Sequence, residues 1–201
     1  MRKAISHLKK SDPLLAAVIE RIGPCVIEYH EPAFSSLVRS IVYQQLNGKV
    51  AAVIFERFLN LLPRKKLTPQ AVLKLSVADL RSAGLSNAKA AYILDLAEKT
   101  EARVIKFHEL PALSDEEVIA QLTQVKGVGV WTAHMFLIFA LQRPNILPVG
   151  DLGVRSAIRK IYGLSELPKP ADVERIAATW RPHCTVAAWY LWRSLDGAAA
   201  M

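Results

Sequence analysis

Residues that begin and end α-helices recur at short intervals along this chain, and they limit its fold more than any other feature. Asp12-Pro13 and Thr68-Pro69 each set a capping side chain directly before a proline, at the helical position where a missing N–H costs nothing. Ser114 and Glu117 in "SDEEVIAQL" have the spacing of a reciprocal capping box, and Gly23, Gly84 and Gly163 stand where apolar segments of helical period stop. The pattern predicts about ten helices, near 12–22, 32–45, 48–61, 69–75, 77–83, 87–104, 115–124, 130–141, 151–162, 171–179 and 184–195. Only "CVIEYHE" has the character of a strand, and it is too short to build a sheet. The expected fold class is all-α, with "LPRKKLTP" as a basic loop and the terminal "GAAAM" as a frayed tail.

At 201 residues and 52% hydrophobic content, the chain can bury one sizeable core, laid out as a single unit of two closely packed helical lobes. Lys and Arg number 26 against 18 Asp and Glu, which favours a polyanionic partner without choosing a fold. Cys25 and Cys184 are far apart in apolar settings, so they support neither a disulfide framework nor a metal cluster and are read as reduced core thiols. The start of the chain is basic, but its apolar segment is broken by Glu20 and Arg21, and no apolar run approaches membrane-spanning length. A soluble, intracellular protein with no membrane partner is expected.

Two stretches read as helix, glycine turn, helix: a degenerate one in "LRSAGLSNAKAAYIL" (80–94) and a strong one in "LTQVKGVGVWTAHMFL" (122–137). In the second, Gly127 and Gly129 can adopt positive φ and let a phosphate reach bare backbone N–H groups at the start of the helix that carries Trp131 and Thr132. Lys126 and Thr132 add the cation and hydroxyl that such a site uses. A lone G-x-G could equally be a tight turn between core helices.

Between Glu117 and Glu166 the only carboxylate is Asp151, in "LPVGDLGVRSAIRK", with Lys126, Arg143, Arg155, Arg159 and Lys160 around it in sequence. Its type and position suit the cap of a helix beginning at Leu152. An Asp held by helix N–H groups is also kept ionised, which is what a site that develops positive charge needs.

The strong hairpin, followed about twenty residues later by a Pro/Gly loop ending in Asp ("LPVGDLGVR"), resembles the helix-hairpin-helix, Gly/Pro, Asp superfamily of DNA glycosylases. "SIVYQQLNGKVAA" (40–52) and "WRPHCTVAAWYLW" (180–192) narrow the resemblance to the 3-methyladenine DNA glycosylase II family, over about residues 32 to 196. The N-terminal β domain of the longer bacterial members is expected to be absent. The resemblance implies a hairpin lobe over 32–144, a second lobe of 1–31 plus 145–201, and an active-site cleft between them. It also implies hydrolysis of the N-glycosidic bond of alkylated purines in double-stranded DNA, the first step of base excision repair, by a DNA-associated cytoplasmic monomer.

Carried over residue by residue, the resemblance makes Asp151 the catalytic carboxylate and Trp131, Trp192, Met135 and Leu152 the lining of the base pocket. Electron-rich indole faces would attract a cationic alkylated base. Met135 and Leu152 stand where related bacterial enzymes have tyrosines, which leaves the substrate range open. Trp180 and Trp189 are assigned to the core, and His134 to the core or the pocket wall. Lys126, Gly127, Gly129 and Thr132 are implied as the phosphate site, and either Leu46 or Asn47 as the wedge that fills the gap left by a rotated nucleotide. The carbonyls of Thr123, Val125 and Val128 are implied ligands of a structural Na⁺ or K⁺. Relatives that also cut the backbone keep a nucleophilic Lys directly before the hairpin Thr; this chain has Trp131 there, so no lyase activity is expected. Two distant thiols cannot hold the iron–sulfur cluster of other branches, and no cofactor is expected to be required. Two alternatives stay open: a glycosylase of the same superfamily acting on ethenoadenine, hypoxanthine, oxidised or mismatched bases, and a non-catalytic DNA-binding module.

Overall fold

The computed structural model describes residues 1–196, so the "GAAAM" segment read as a frayed tail lies outside the described residues. Twelve α-helices follow in order among the described residues: α1 (Arg2–Ser11), α2 (Pro13–Ile22), α3 (Phe34–Tyr43), α4 (Gly48–Asn60), α5 (Pro69–Val72), α6 (Val77–Ser82), α7 (Asn87–Glu101), α8 (Asp115–Leu122), α9 (Val130–Phe139), α10 (Leu152–Ile161), α11 (Pro170–Ala177) and α12 (Cys184–Arg193). No described residue is in a β-strand, so the chain is all-α, as the punctuation predicts. No described helix is long and apolar enough to cross a membrane.

The predicted caps form. Asp12 accepts the Leu15 N–H at 3.0 Å, Thr68 accepts that of Ala71 at 3.2 Å, and Ser114 and Glu117 exchange the two bonds of a capping box. Three expectations need correction. Helix α1 was not predicted: its stripe is little more than Ala4 and Leu8 in a basic segment, and it is stabilised by burying both against α2 and α12 rather than by propensity. "CVIEYHE" forms no strand: Ile27 is buried in it, and the His30 N–H donates to the Phe139 carbonyl at 2.8 Å. Cys25 is half-buried in that segment rather than in the core; Cys184 is buried, and burial pushes both thiols up to about 11.

Among the described residues the helices sort into two compact units, residues 30–141 and residues 1–29 with 142–196. In the first, α9 is apolar around nearly its whole circumference, the mark of a helix enclosed by others. Helix α9, with Ala133, Phe136 and Leu137 buried, packs on α3, where Leu37, Val38 and Ile41 are buried, and α7, with Ile93, Leu96 and Ala97 buried, packs on α3, α5 and α6. In the second unit, every residue of α12 from Cys184 to Leu191 is buried, and the helix packs on α2 and α10.

That second core is organised around a buried carboxylate. Asp12 caps α2 through Oδ1, while its Oδ2 accepts the Trp180 indole N–H at 2.7 Å and the Tyr162 hydroxyl. Burial and the neighbouring Asp12 push the Tyr162 phenol far up, so it remains a donor. Asp12→Ala removes the cap and orphans two buried donors. It should lower the unfolding free energy by about 3 kcal/mol in urea titrations, and Asp12→Asn, whose one acceptor oxygen can serve the cap or the Trp180 and Tyr162 donors but not both, by about 2 kcal/mol.

Candidate active site

The α8–α9 turn is built from residues whose backbone has little choice. Thr123 ends α8, the Val125 carbonyl accepts the Val128 N–H at 3.1 Å, and Gly127 turns the chain at φ +73°. A Cβ on Gly127 would stand 2.1 Å from a carbon of the Tyr92 ring, so both the conformation and the contact require glycine. Gly129 differs from the expectation: at φ −94° it is extended backbone that any residue adopts, and nothing lies within 4 Å of where its Cβ would be. It is the N-cap of α9, and its missing side chain leaves the first amides of that helix open. The first amides of a helix have no partner within it and carry the positive end of its dipole, an environment that favours negative charge.

Thr132 takes part in a different way from that expected of a surface hydroxyl. Its side chain is buried, and Oγ1 accepts a bond from Gln44 Nε2 at 3.3 Å, so it faces the interior while its main-chain N–H belongs to the first turn of α9. Lys126 extends its side chain from the turn but is also tied down: its N–H donates to Asp95 Oδ2 at 2.9 Å, and its Nζ lies 3.6 Å from Oδ1. Asp95, buried on α7, also accepts Lys99 Nζ at 2.7 Å on both oxygens. Burial alone would push this carboxyl up, but the Lys99 ammonium and the Lys126 N–H and charge together hold it below the usual carboxylate range.

The turn before α4 carries both wedge candidates. Asn47 is committed to its own helix, accepting the Lys49 N–H at 2.8 Å, while Leu46 is 37% exposed just before it. Trp131 is 45% exposed at the start of α9 and lines an open pocket of about 500 Å³ with Gln44, Lys89, Tyr92 and Gly127. Met135 and His134 further along α9 are half-buried; burial pushes the His134 imidazole down, against a smaller upward pull from Asp115.

Asp151 lies in the other compact unit and has the predicted cap: Oδ1 accepts the Val154 N–H at 2.7 Å. The same oxygen accepts the Trp192 indole N–H at 2.8 Å, which ties the carboxylate to the end of α12. Gly153 makes this approach feasible, since a Cβ there would meet Trp192 Cδ1 at 3.0 Å and Asp151 Oδ1 at 3.1 Å. A nearly buried carboxylate fixed by two donors can oppose positive charge developing beside it without first reorganising. Leu152, next to it, is 65% exposed at the start of α10. Trp180 and Trp189 are buried, as assigned. Among the described residues, no group of three or more His, Cys, Asp or Glu side chains could hold a metal ion.

Sequence reasoning missed Gln44, Lys89, Tyr92, Asp95 and Gly153. Two of them carried a signal: Asp95 interrupts the apolar run "AYILDLA", and Lys89 puts a cation in the first turn of a helix, where the dipole disfavours it. The geometry separates the two hairpin glycines. Gly127→Ala should lower the unfolding free energy by about 1–3 kcal/mol, from backbone strain and the clash with Tyr92, whereas Gly129→Ala should stay within about 1 kcal/mol of the parent in the same urea titration.

The family model of the HhH-GPD superfamily base excision DNA repair proteins matches residues 38–183, a span that holds the hairpin and Asp151. DNA-3-methyladenine glycosylase 1 of Schizosaccharomyces pombe is 33% identical over 96% of this chain and 87% of its own. A solved structure of the S. pombe 3-methyladenine DNA glycosylase (Mag1) in complex with abasic DNA superposes with a TM-score of 0.88 at 33% identity, covering 99% of each chain. A DNA-3-methyladenine glycosidase structure from Bacillus halodurans gives a TM-score of 0.85 at 34% identity, over 98% of this chain and 90% of that one. The chain belongs to the HhH-GPD superfamily of base excision DNA repair proteins.

Proposed function

We propose that this protein is a DNA glycosylase that excises alkylated purines of the 3-methyladenine type from duplex DNA, opening base excision repair, and leaves the abasic strand uncut. The observation that carries the reading is Asp151, a carboxylate held by the Val154 and Trp192 N–H groups in a chain whose full-length relatives are named 3-methyladenine DNA glycosylases. An N-alkylated purine is already cationic, so it leaves as a neutral base with the electron pair of the glycosidic bond. Positive charge passes to the sugar, where Asp151 opposes it until a water adds to the anomeric carbon and releases its proton. Trp192, whose indole N–H bonds Asp151, supplies indole surface for the base, with a cation–π contribution while the base is charged. The turn of Lys126, Gly127 and Gly129 grips a phosphate without reading a base, and the Leu46–Asn47 tip fills the gap in the duplex.

We propose further that the carbonyls of Thr123, Val125 and Val128 would hold a monovalent cation. Thr123 and Val125 follow the C-terminal end of α8, where the helix dipole is negative, and a bound cation would add positive charge beside the phosphate site.

Asp151→Asn keeps an acceptor oxygen for Val154 and Trp192 but loses the charge. It should slow release of alkylated bases by about 10²–10³ while preserving binding to damaged duplex; parent-like release would reduce Asp151 to a helix cap. The absence of strand cleavage is tested separately. Trp131 offers no amine at the position of the lyase nucleophile, so nicks should appear only after alkali, and borohydride should trap no protein–DNA adduct. Robust trapping would assign a lyase step to another amine.

A further inference from the structure

Lys89 occupies a position that helix electrostatics disfavours. It lies in the first turn of α7, after the Ser86 cap, where the positive end of the dipole opposes a cation. It does not run out into solvent: it is half-buried, with Nζ donating to the carbonyls of Val42 at 2.8 Å and Gln44 at 2.7 Å. These are carbonyls at the end of α3, of the kind a helix leaves without a partner. The lysine of one helix therefore caps the C-terminus of another.

The segment it caps is held a second time. The Gln44 side-chain amide donates to the Gly127 carbonyl at 3.0 Å and to the buried Thr132 Oγ1 at 3.3 Å, reaching both sides of the hairpin turn. Gln45, the next residue, sits at φ +55°, a left-handed conformation that a side chain adopts only when its surroundings impose it. Leu46 and Asn47 follow directly.

We propose that Gln44 and Lys89 are positioning residues that join the Leu46–Asn47 loop to the α8–α9 hairpin, so that insertion into the duplex and the grip on a phosphate act as one body. The proposal rests on the glycosylase reading given above. Lys89 fixes where α3 ends, Gln44 fixes how far that end lies from the hairpin, and Gln45 aims the loop outward. Neither residue needs to touch DNA for this role, and neither contact reads a base.

Lys89→Met keeps the length of the stem without the charge, Gln44→Glu replaces the donor to Gly127 with an acceptor, and Lys89→Arg retains two donors for the two carbonyls. Single-turnover base release is measured on duplexes with the alkylated purine paired normally and with it placed opposite an abasic analogue, where rotation out of the stack costs less. Lys89→Met and Gln44→Glu should lose about tenfold or more on the paired substrate, recover most of it on the unpaired one, and bind undamaged duplex within about threefold of the parent; Lys89→Arg should follow the parent. Equal losses on both substrates, or parent-like rates on both, would overturn the proposal. A parent that releases no alkylated base would remove the enzymatic reading, and amide hydrogen exchange on the free protein then decides the coupling. Lys89→Met should raise exchange in 44–47 and 127–130 together, above any change in the rest of the protein. A rise confined to 44–47 would show that the two segments are independent.

Discussion

The contact between the Tyr92 ring and the backbone of Gly127 sets the shape of the hairpin. With the ring this close, residue 127 can carry no side chain, and the turn can take the left-handed step that brings the chain into α9. The neighbouring constraints depend on that step. Asp95 can reach the Lys126 N–H, Gln44 can reach the Gly127 carbonyl, and the first amides of α9 come out beside Gly129, where no Cβ intervenes. Rigidity here suits the proposed phosphate grip: an anion bound there would meet N–H groups already held in place and need not order a loop at the moment of binding.

A similar economy governs the other candidate centre. Asp151 Oδ1 accepts both the first turn of its own helix and the indole of Trp192, and Gly153 leaves room for the two to meet. A helix cap is a structural device, yet the same bonds hold a carboxylate in one orientation. Stability and the proposed chemistry thus make the same demand on one residue, so a change that kept the cap but removed the charge would separate them. Asp12 is the counter-example. It too caps a helix and accepts two side-chain donors, but it is enclosed by Trp180 and Tyr162 in a core, where it can only organise packing.

Local signals were sufficient wherever the physics is local. Caps such as Asp12, Thr68, Ser114 and Asp151 were legible because the bonds they make lie within three residues of themselves. The hairpin was legible through its glycines and the Trp-Thr pair that follows, and the order of motifs pointed to the superfamily. Helix α1 was not, because its short apolar stripe is stabilised by packing on α2 and α12 rather than by its own propensity.

The sequence on its own established an all-α chain, a bare glycine turn and a capping aspartate far from any other acid. It could not distinguish Gly127, which needs its left-handed backbone, from Gly129, which needs only empty space. Nor could it turn Thr132 inward, since that depends on Gln44, 88 positions away in the chain, or pair Trp192 with Asp151 across 41. These partners are chosen by how helices pack and where their ends meet. Packing sums many weak contacts between residues distant in sequence, and no short stretch of sequence carries that sum.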